Sequence, residues 1–312
     1  MNFTVRILGT SSAHPNANRF PTSHILNIYG KYILIDCGEG TQIQLRKFKI
    51  PFGHINHIFI SHLHGDHFFG LFGLLSTYEL LHRGSDLHLY APVQLRDMLF
   101  SPQSPVKVKE LPYKIWFHPL RKGHNLVMED KNFFVESFEL DHRIPTWGFI
   151  VKEKKRKPNV IKSKIEEYSL GIEEILAVKR GEDIIRDNGQ VIKAKEVTTP
   201  APEPRSYSFV SDTRFFPPVV EHIKGTDLLY HESTFIKKDE DLAAQTYHST
   251  AEQAAMIAKQ AGAKQLVIGH FSARYKDTSV FLDEAGKVFK NTVLAYDGLK
   301  LEIPLRKISS EE

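Results

Sequence analysis

The 312-residue sequence holds one cysteine, Cys37. An internal disulfide is excluded, nothing points to an oxidising compartment, and the cytoplasm is the expected location. No run of about 18 apolar residues occurs, so no membrane-spanning helix and no membrane partner are expected. The first residues enter a strand-like segment directly, without the charged-then-apolar pattern of a secretory leader. Charge of one sign is scarce too: 41 Lys and Arg against 37 Asp and Glu leave +4, which does not by itself demand a nucleic-acid partner. No internal repeat with a period of 20–50 residues is visible. What the chain has in quantity is histidine, 16 residues, the commonest metal ligand and the usual proton shuttle near neutral pH.

Apolar periodicity predicts strands over 5–8, 25–28, 32–35, 55–60, 87–90, 115–119 and 133–140. Helices are predicted over 41–49, 68–81 and 93–100, with 68–81 apolar almost all round and hence buried. Strands recur at 207–211, 227–231, 265–269, 292–295 and 300–303. A helix over 249–261 opens on Ser-Thr-Ala-Glu, a capping-box pattern. Strands alternating with helices indicate an α/β class, layered with helices outside. Between these halves, 151–204 changes texture: it is dense in lysine and arginine, has Tyr168 as its one aromatic residue, and ends in Thr-Thr-Pro-Ala-Pro-Glu-Pro. The expected organisation is a core formed by 1–150 and 205–312, with 151–204 as an inserted, protruding basic arm.

The decisive segment is Ser61-His-Leu-His-Gly-Asp-His67. Residues two apart in extended chain point the same way, so His62 and His64 can face one ion. Gly65 is expected to allow a sharp turn that brings Asp66 and His67 to a neighbouring position. Imidazole and carboxylate suit zinc or manganese. Three later residues, His142, Asp212 and His270, each follow an apolar strand, where sites form in α/β folds.

The His-x-His-x-Asp-His signature resembles that of the metallo-β-lactamase-fold hydrolases. Further motifs narrow the resemblance to the short-form ribonuclease Z family of tRNA 3′-processing endonucleases: Asp36-Cys-Gly-Glu-Gly-Thr-Gln42, His231-Glu-Ser-Thr234 (with Ser233 where the family has Ala), His248-Ser-Thr250 and His270-Phe-Ser-Ala-Arg-Tyr275. The resemblance spans essentially the whole chain. It implies a four-layer αββα sandwich with two zinc ions per subunit, one held by His62, His64 and His142, the other by Asp66, His67 and His270, with Asp212 bridging them. It assigns Asp66 the role of general base, and has His248 protonate the leaving ribose oxygen while Glu232 orients it. Ser272 and Arg274 would bind phosphate, and His231 is read as structural.

The implied reaction is metal-hydroxide attack on precursor tRNA just after the discriminator base, leaving a tRNA 3′-hydroxyl and a 5′-phosphorylated trailer, in a homodimeric enzyme. The arm would contact tRNA phosphates through Lys154, Lys155, Arg156 and Lys157. It departs from the family in one place, where Gly171-Ile-Glu lacks the proline of a Gly-x-Pro element. Two other readings compete: a small-molecule phosphodiesterase or arylsulfatase on the same fold, and an RNA-binding protein with a degenerate metal site. The second is disfavoured because every ligand position is filled.

Overall fold

The computed structural model describes residues 2–14 and 17–306. It divides into two compact units, one running through Lys152 and resuming over Ser206–Ile303, the other built on Glu153–Arg205 and including the described residues after Ile303.

In the first unit, β1 (Phe3–Gly9), β2 (Ser23–Ile28), β3 (Lys31–Ile35), β4 (Ile55–Phe59), β5 (Leu87–Ala91) and β6 (Ile115–Pro119) lie side by side in chain order. A second sheet starts with β7 (Asn125–Glu129), β8 (Phe133–Leu140) and β9 (Thr146–Glu153). The second unit contributes the short β10 (Asn159–Val160), β11 (Ile184–Ile185), β12 (Val191–Ile192) and β13 (Thr198–Thr199). Back in the first unit, β14 (Ser206–Val210), β15 (Leu228–Glu232), β16 (Gln265–Gly269) and β17 (Thr292–Leu294) extend the second sheet, while β18 (Lys300–Glu302) pairs with β1 in the first. Each sheet therefore has seven strands.

Period-2 alternation explains the layering. Phe3, Val5, Ile33, Ile35, Phe149, Phe209 and Tyr230 point between the sheets and form one core. Leu34, Ile58 and Leu89 point the other way, onto Leu71, Leu74 and Leu75 of the helix Gly70–Leu80. Ile150, Val210, Leu229 and Ile268 pack against alanines 251, 254, 255 and 258 of the helix Ala251–Gln260. Helix, sheet, sheet and helix form four layers. Cys37 is buried among them, and burial pushes its thiol up to about 12. Among the described residues, no helix is long and apolar enough to cross a membrane.

Two local expectations are corrected. The segment 68–81 is not one helix buried all round. A single turn, Gly65–Phe68, precedes the helix Gly70–Leu80, and Phe69, Leu80 and Leu81 are 54%, 77% and 47% exposed. The tight fit falls at Gly70, where a Cβ would lie 2.0 Å from the Gly38 carbonyl oxygen. The capping box also sits one residue later than expected. Thr250 Oγ1 accepts from Gln253 N and Gln253 Oε1 accepts from Thr250 N, because Ser249 Oγ is already donating to the Thr213 carbonyl.

The second unit has a core of its own, including Leu170, Val178, Ile184, Ile192 and Val197. Gly171 is the extended N-cap of the helix Ile172–Arg180, its N–H donating to Glu174 Oε2. At the base of this unit the buried Arg205 guanidinium donates through Nε and Nη2 to the Glu153 carboxylate, 3.1 and 2.7 Å.

Candidate metal centre

The strands β14, β15 and β16 run parallel, so their carboxyl ends share one edge, from which Asp212, Glu232 and His270 emerge. The exit of β4 joins that edge: Trp147 N donates to the Ser61 carbonyl, and the Ser61 and Ser211 hydroxyls lie 3.0 Å apart. One face thus gathers residues from distant parts of the chain.

Four of the imidazoles, those of His62, His67, His142 and His270, are each aimed by a partner behind them. Asp36, held at φ 58°, accepts from Ser61 N, Ser61 Oγ and His67 Nδ1 at 2.7, 2.8 and 2.7 Å. Ser61 Oγ, donating to Asp36, is an acceptor for His62 Nδ1 at 3.0 Å. His142 Nδ1 donates to the Tyr247 carbonyl, 2.8 Å. Thr234 Oγ1 donates to Glu232 Oε2 at 2.8 Å and so accepts from His270 Nδ1, also at 2.8 Å. The Nε2 atoms of His62, His67, His142 and His270 are thereby turned to the centre. Gly65 is part of the helical turn that carries Asp66 and His67. It needs no special backbone angle, but a Cβ there would strike the Phe69 ring at 2.4 Å.

Two groups of donor atoms result. His64 Nδ1 lies 3.1 Å from His62 Nε2 and 3.2 Å from His142 Nε2, and Asp212 Oδ2 is 3.5 Å from His62 Nε2. In the second group, Asp66 Oδ2 lies 3.4 Å from His67 Nε2 and 3.3 Å from His270 Nε2, while those nitrogens are 3.3 Å apart. Asp212 Oδ1 is 3.4 Å from both nitrogens. Ligands about 2.0–2.1 Å from one tetrahedral ion are separated by about 3.3 Å, so both groups match zinc-like edges.

Asp212 Oδ1 is buried without a hydrogen-bond partner, the condition of an oxygen that needs a cation. The charges agree. Burial pushes His62 down to about 3 and also lowers His64 and His142, leaving neutral imidazoles ready to bind. Burial opposes ionisation of Asp66 and Asp212, but the surrounding imidazoles, His67 and His270 among them, hold both carboxyls below the usual range. Asp36, Asp66 and Asp212 thus converge on His67, an accumulation of buried negative charge that calls for positive charge.

Beside this centre, His248 Nδ1 is 2.9 Å from Glu232 Oε1. Glu232 is fully buried and also accepts from the backbone N–H groups of Thr213, Thr234 and Ser249. Burial alone would lower the His248 pKa; Glu232 reverses this and brings it to about 9. A cleft of about 860 Å³ opens over the centre, lined by His64, Asp66, His142, Asp212, His248 and His270, with Arg19, Phe69 and Arg143 among its other walls.

Other expected site residues lie elsewhere. Ser272 and Arg274 do not line the cleft; the Arg274 guanidinium sits over the Phe235 ring at 5.3 Å. Lys154, Lys155, Arg156 and Lys157 belong to the second unit. Lys155 and Lys157 are exposed, whereas Arg156 donates to Glu153 Oε1 at 2.8 Å. His231 is buried, its Nδ1 on the Glu232 carbonyl. Asp36 and Thr234 stand in motifs visible in the sequence, yet only the fold reveals what they aim.

Residues 3–142 match the family described as Anti-Pycsar protein Apyc1. The chain is 45% identical over 302 residues to a ribonuclease Z of Bacteroides fragilis, covering 96% of this chain and 99% of the relative. It is 44% identical to a ribonuclease Z of Porphyromonas gingivalis, with the same shares covered. The crystal structure of the short form of human tRNase Z superposes with a TM-score of 0.69 at 29% identity, covering 96% of this chain and 99% of that one. With near-identical length and the relatives' share covered almost in full, the chain belongs to the ribonuclease Z family.

Proposed function

We propose that this protein is a two-zinc endoribonuclease that removes the 3′ trailer from precursor tRNA, cutting after the discriminator nucleotide. The observation that carries this reading is the pairing of a two-group donor set, spanned by the two oxygens of Asp212, with the buried His248–Glu232 couple at its rim. His62, His64 and His142 would hold one ion, Asp66, His67 and His270 the other, and Asp212 both. Bound there, two divalent ions would acidify a shared water and neutralise charge on the scissile phosphate.

The chain's own groups do the rest. Asp66 takes the proton of the attacking water. As the bond from phosphorus to the ribose 3′-oxygen breaks, His248 passes a proton to that oxygen through Nε2, the nitrogen that does not face Glu232. The glutamate keeps the imidazole charged and oriented. The tRNA is left with a 3′-hydroxyl and the trailer with a 5′-phosphate.

The second unit is assigned the grip on tRNA. Exposed Lys155 and Lys157 favour phosphate contacts, and the one aromatic residue of the unit, Tyr168, is half-buried against that unit's own core. Ser272 and Arg274 are assigned to phosphate just outside the cleft. Leu80 and Leu81, exposed at the end of one helix, support a homodimer, and the cytoplasm suits both the single thiol and the substrate.

Deleting 154–203 separates this reading from a small-molecule phosphodiesterase. Cleavage of precursor tRNA should fall at least 10-fold, because phosphate contacts are lost, with hydrolysis of bis(p-nitrophenyl) phosphate retained. Unchanged cleavage of precursor tRNA would remove the arm from the account.

A further inference from the structure

Phe69 has no part in the metal chemistry, yet it is 54% exposed on the wall of the cleft that holds the metal ligands. Its position is fixed from two sides. The ring lies over Gly65, where a Cβ would meet two of its carbon atoms at 2.4 and 2.6 Å. The Phe68 ring, itself buried, flanks it at 4.8 Å between centroids. Phe69 follows Asp66 and His67 by three and two residues, on the backbone that presents both. The ring is therefore held in register with the donor atoms, and it lines the cleft.

An aromatic ring left in water beside a polar centre forgoes the burial that usually houses phenylalanine. It can recover that loss when a flat, partly apolar group of the substrate settles on it. A phosphodiester bound at the donor atoms brings such groups with it, because a nucleobase stands on either side of every internucleotide phosphate. The cleft also carries Arg19 and Arg143, cationic side chains suited to the backbone of the same strand. Base–aromatic stacking tolerates any sequence, since every base has a π-face.

We propose that Phe69 is the platform on which one of the two nucleobases flanking the scissile phosphate stacks. This rests on the endoribonuclease reading above, and it makes Phe69 a positioning residue for the phosphate: a base held on the ring places its own phosphate over the donor atoms.

The test is a cycle between protein and substrate. F69L keeps an apolar side chain and the helix but removes the flat face, and F69W restores one. Three precursor tRNAs are compared: one intact, one abasic at the discriminator and one abasic at the first trailer position. F69L should lower kcat/KM on the intact RNA about 10-fold or more, and less than about 2-fold on one of the abasic RNAs. F69W should recover most of the loss. Equal loss on all three RNAs, or none on the intact one, would overturn the proposal, and a loss accompanied by dissociation of a dimer would assign the ring to a subunit contact instead.

Cleavage of the intact RNA by the unaltered protein tests the endoribonuclease reading separately. Affinities of the same RNAs for the H248A protein and for H248A/F69L, read by fluorescence anisotropy, repeat the comparison without turnover. There too, a loss confined to base-bearing RNA is expected, and a uniform loss would contradict the platform.

Discussion

His248 and Glu232 form a hydrogen-bonded pair, Nδ1 to Oε1 at 2.9 Å, in which the carboxylate is fully buried and the imidazole reaches the cleft. The carboxylate is saturated by backbone donors from three separate segments, so it cannot swing away from the histidine. A rigid anion behind a cleft-facing imidazole is the arrangement of a proton donor held ready.

His248→Ala should therefore lower kcat by about 10²–10⁴, the range of a positioned acid. KM for precursor tRNA and metal content should stay near those of the unaltered protein. Single-turnover kinetics beside elemental analysis checks this; parallel losses of rate, binding and metal would make His248 structural.

Thr234 ties the proton donor to the metal centre, because its hydroxyl donates to Glu232 and accepts from His270. Thr234→Val strands His270 Nδ1 and removes one of several donors to Glu232. Metal held by Asp66, His67 and His270 should be stripped by chelator about 10–100-fold more readily, with unfolding free energy lower by about 1–3 kcal/mol. Thr234→Ser should restore both. A chelator titration that does not separate Val from Ser would show that the hydroxyl does not matter.

His57 governs part of the acid limb of stability. Burial, then the neighbouring His88, Lys31 and His118, push its pKa down to about 4, against the opposing pull of Asp130. The unfolded value is about 6.5. Below about pH 6.5 the unfolded chain takes up a proton that the folded site refuses, so stability falls as pH drops from about 6.5 towards 4. His57 Nδ1 is buried without a partner, so replacing the ring forfeits no hydrogen bond there. In His57→Asn, the urea midpoint should drop less between pH 7 and pH 5 than in the unaltered protein; an equal drop would assign the acid limb to other groups.

The clustering of the candidate donor atoms was legible because its rule is short: strand exits at one edge of an α/β sheet, and an extended His-x-His followed by Asp-His. The layering was legible for the same reason, since alternation marks which side chains face each core. Strand β9 was not anticipated, because Thr146-Trp-Gly-Phe-Ile-Val runs without alternation and is buried on both faces. The partners behind the ligands were hidden for another reason. Asp36 acts through a left-handed backbone angle, and the Tyr247 carbonyl acts as backbone, whose role no side-chain motif encodes. Phe69 stands in an apolar run that composition marks as buried, yet it is 54% exposed, because composition registers hydrophobicity and not the direction in which a side chain leaves the backbone. Arg156 sat in a basic run that suggested phosphate, but the run begins beside Glu153, and the buried carboxylate claims it.

The proposed function joins the two donor groups and the His248–Glu232 pair in one reaction, the cleavage of precursor tRNA. A 3′-extended tRNA transcript incubated with the full chain, with and without chelator, and mapped at nucleotide resolution tests it most directly. One cut is expected, after the discriminator nucleotide, giving a tRNA 3′-hydroxyl and a trailer 5′-phosphate, abolished by chelator and restored by added zinc. Cleavage indifferent to chelator, a cut at another position, or a 2′,3′-cyclic phosphate end would contradict it.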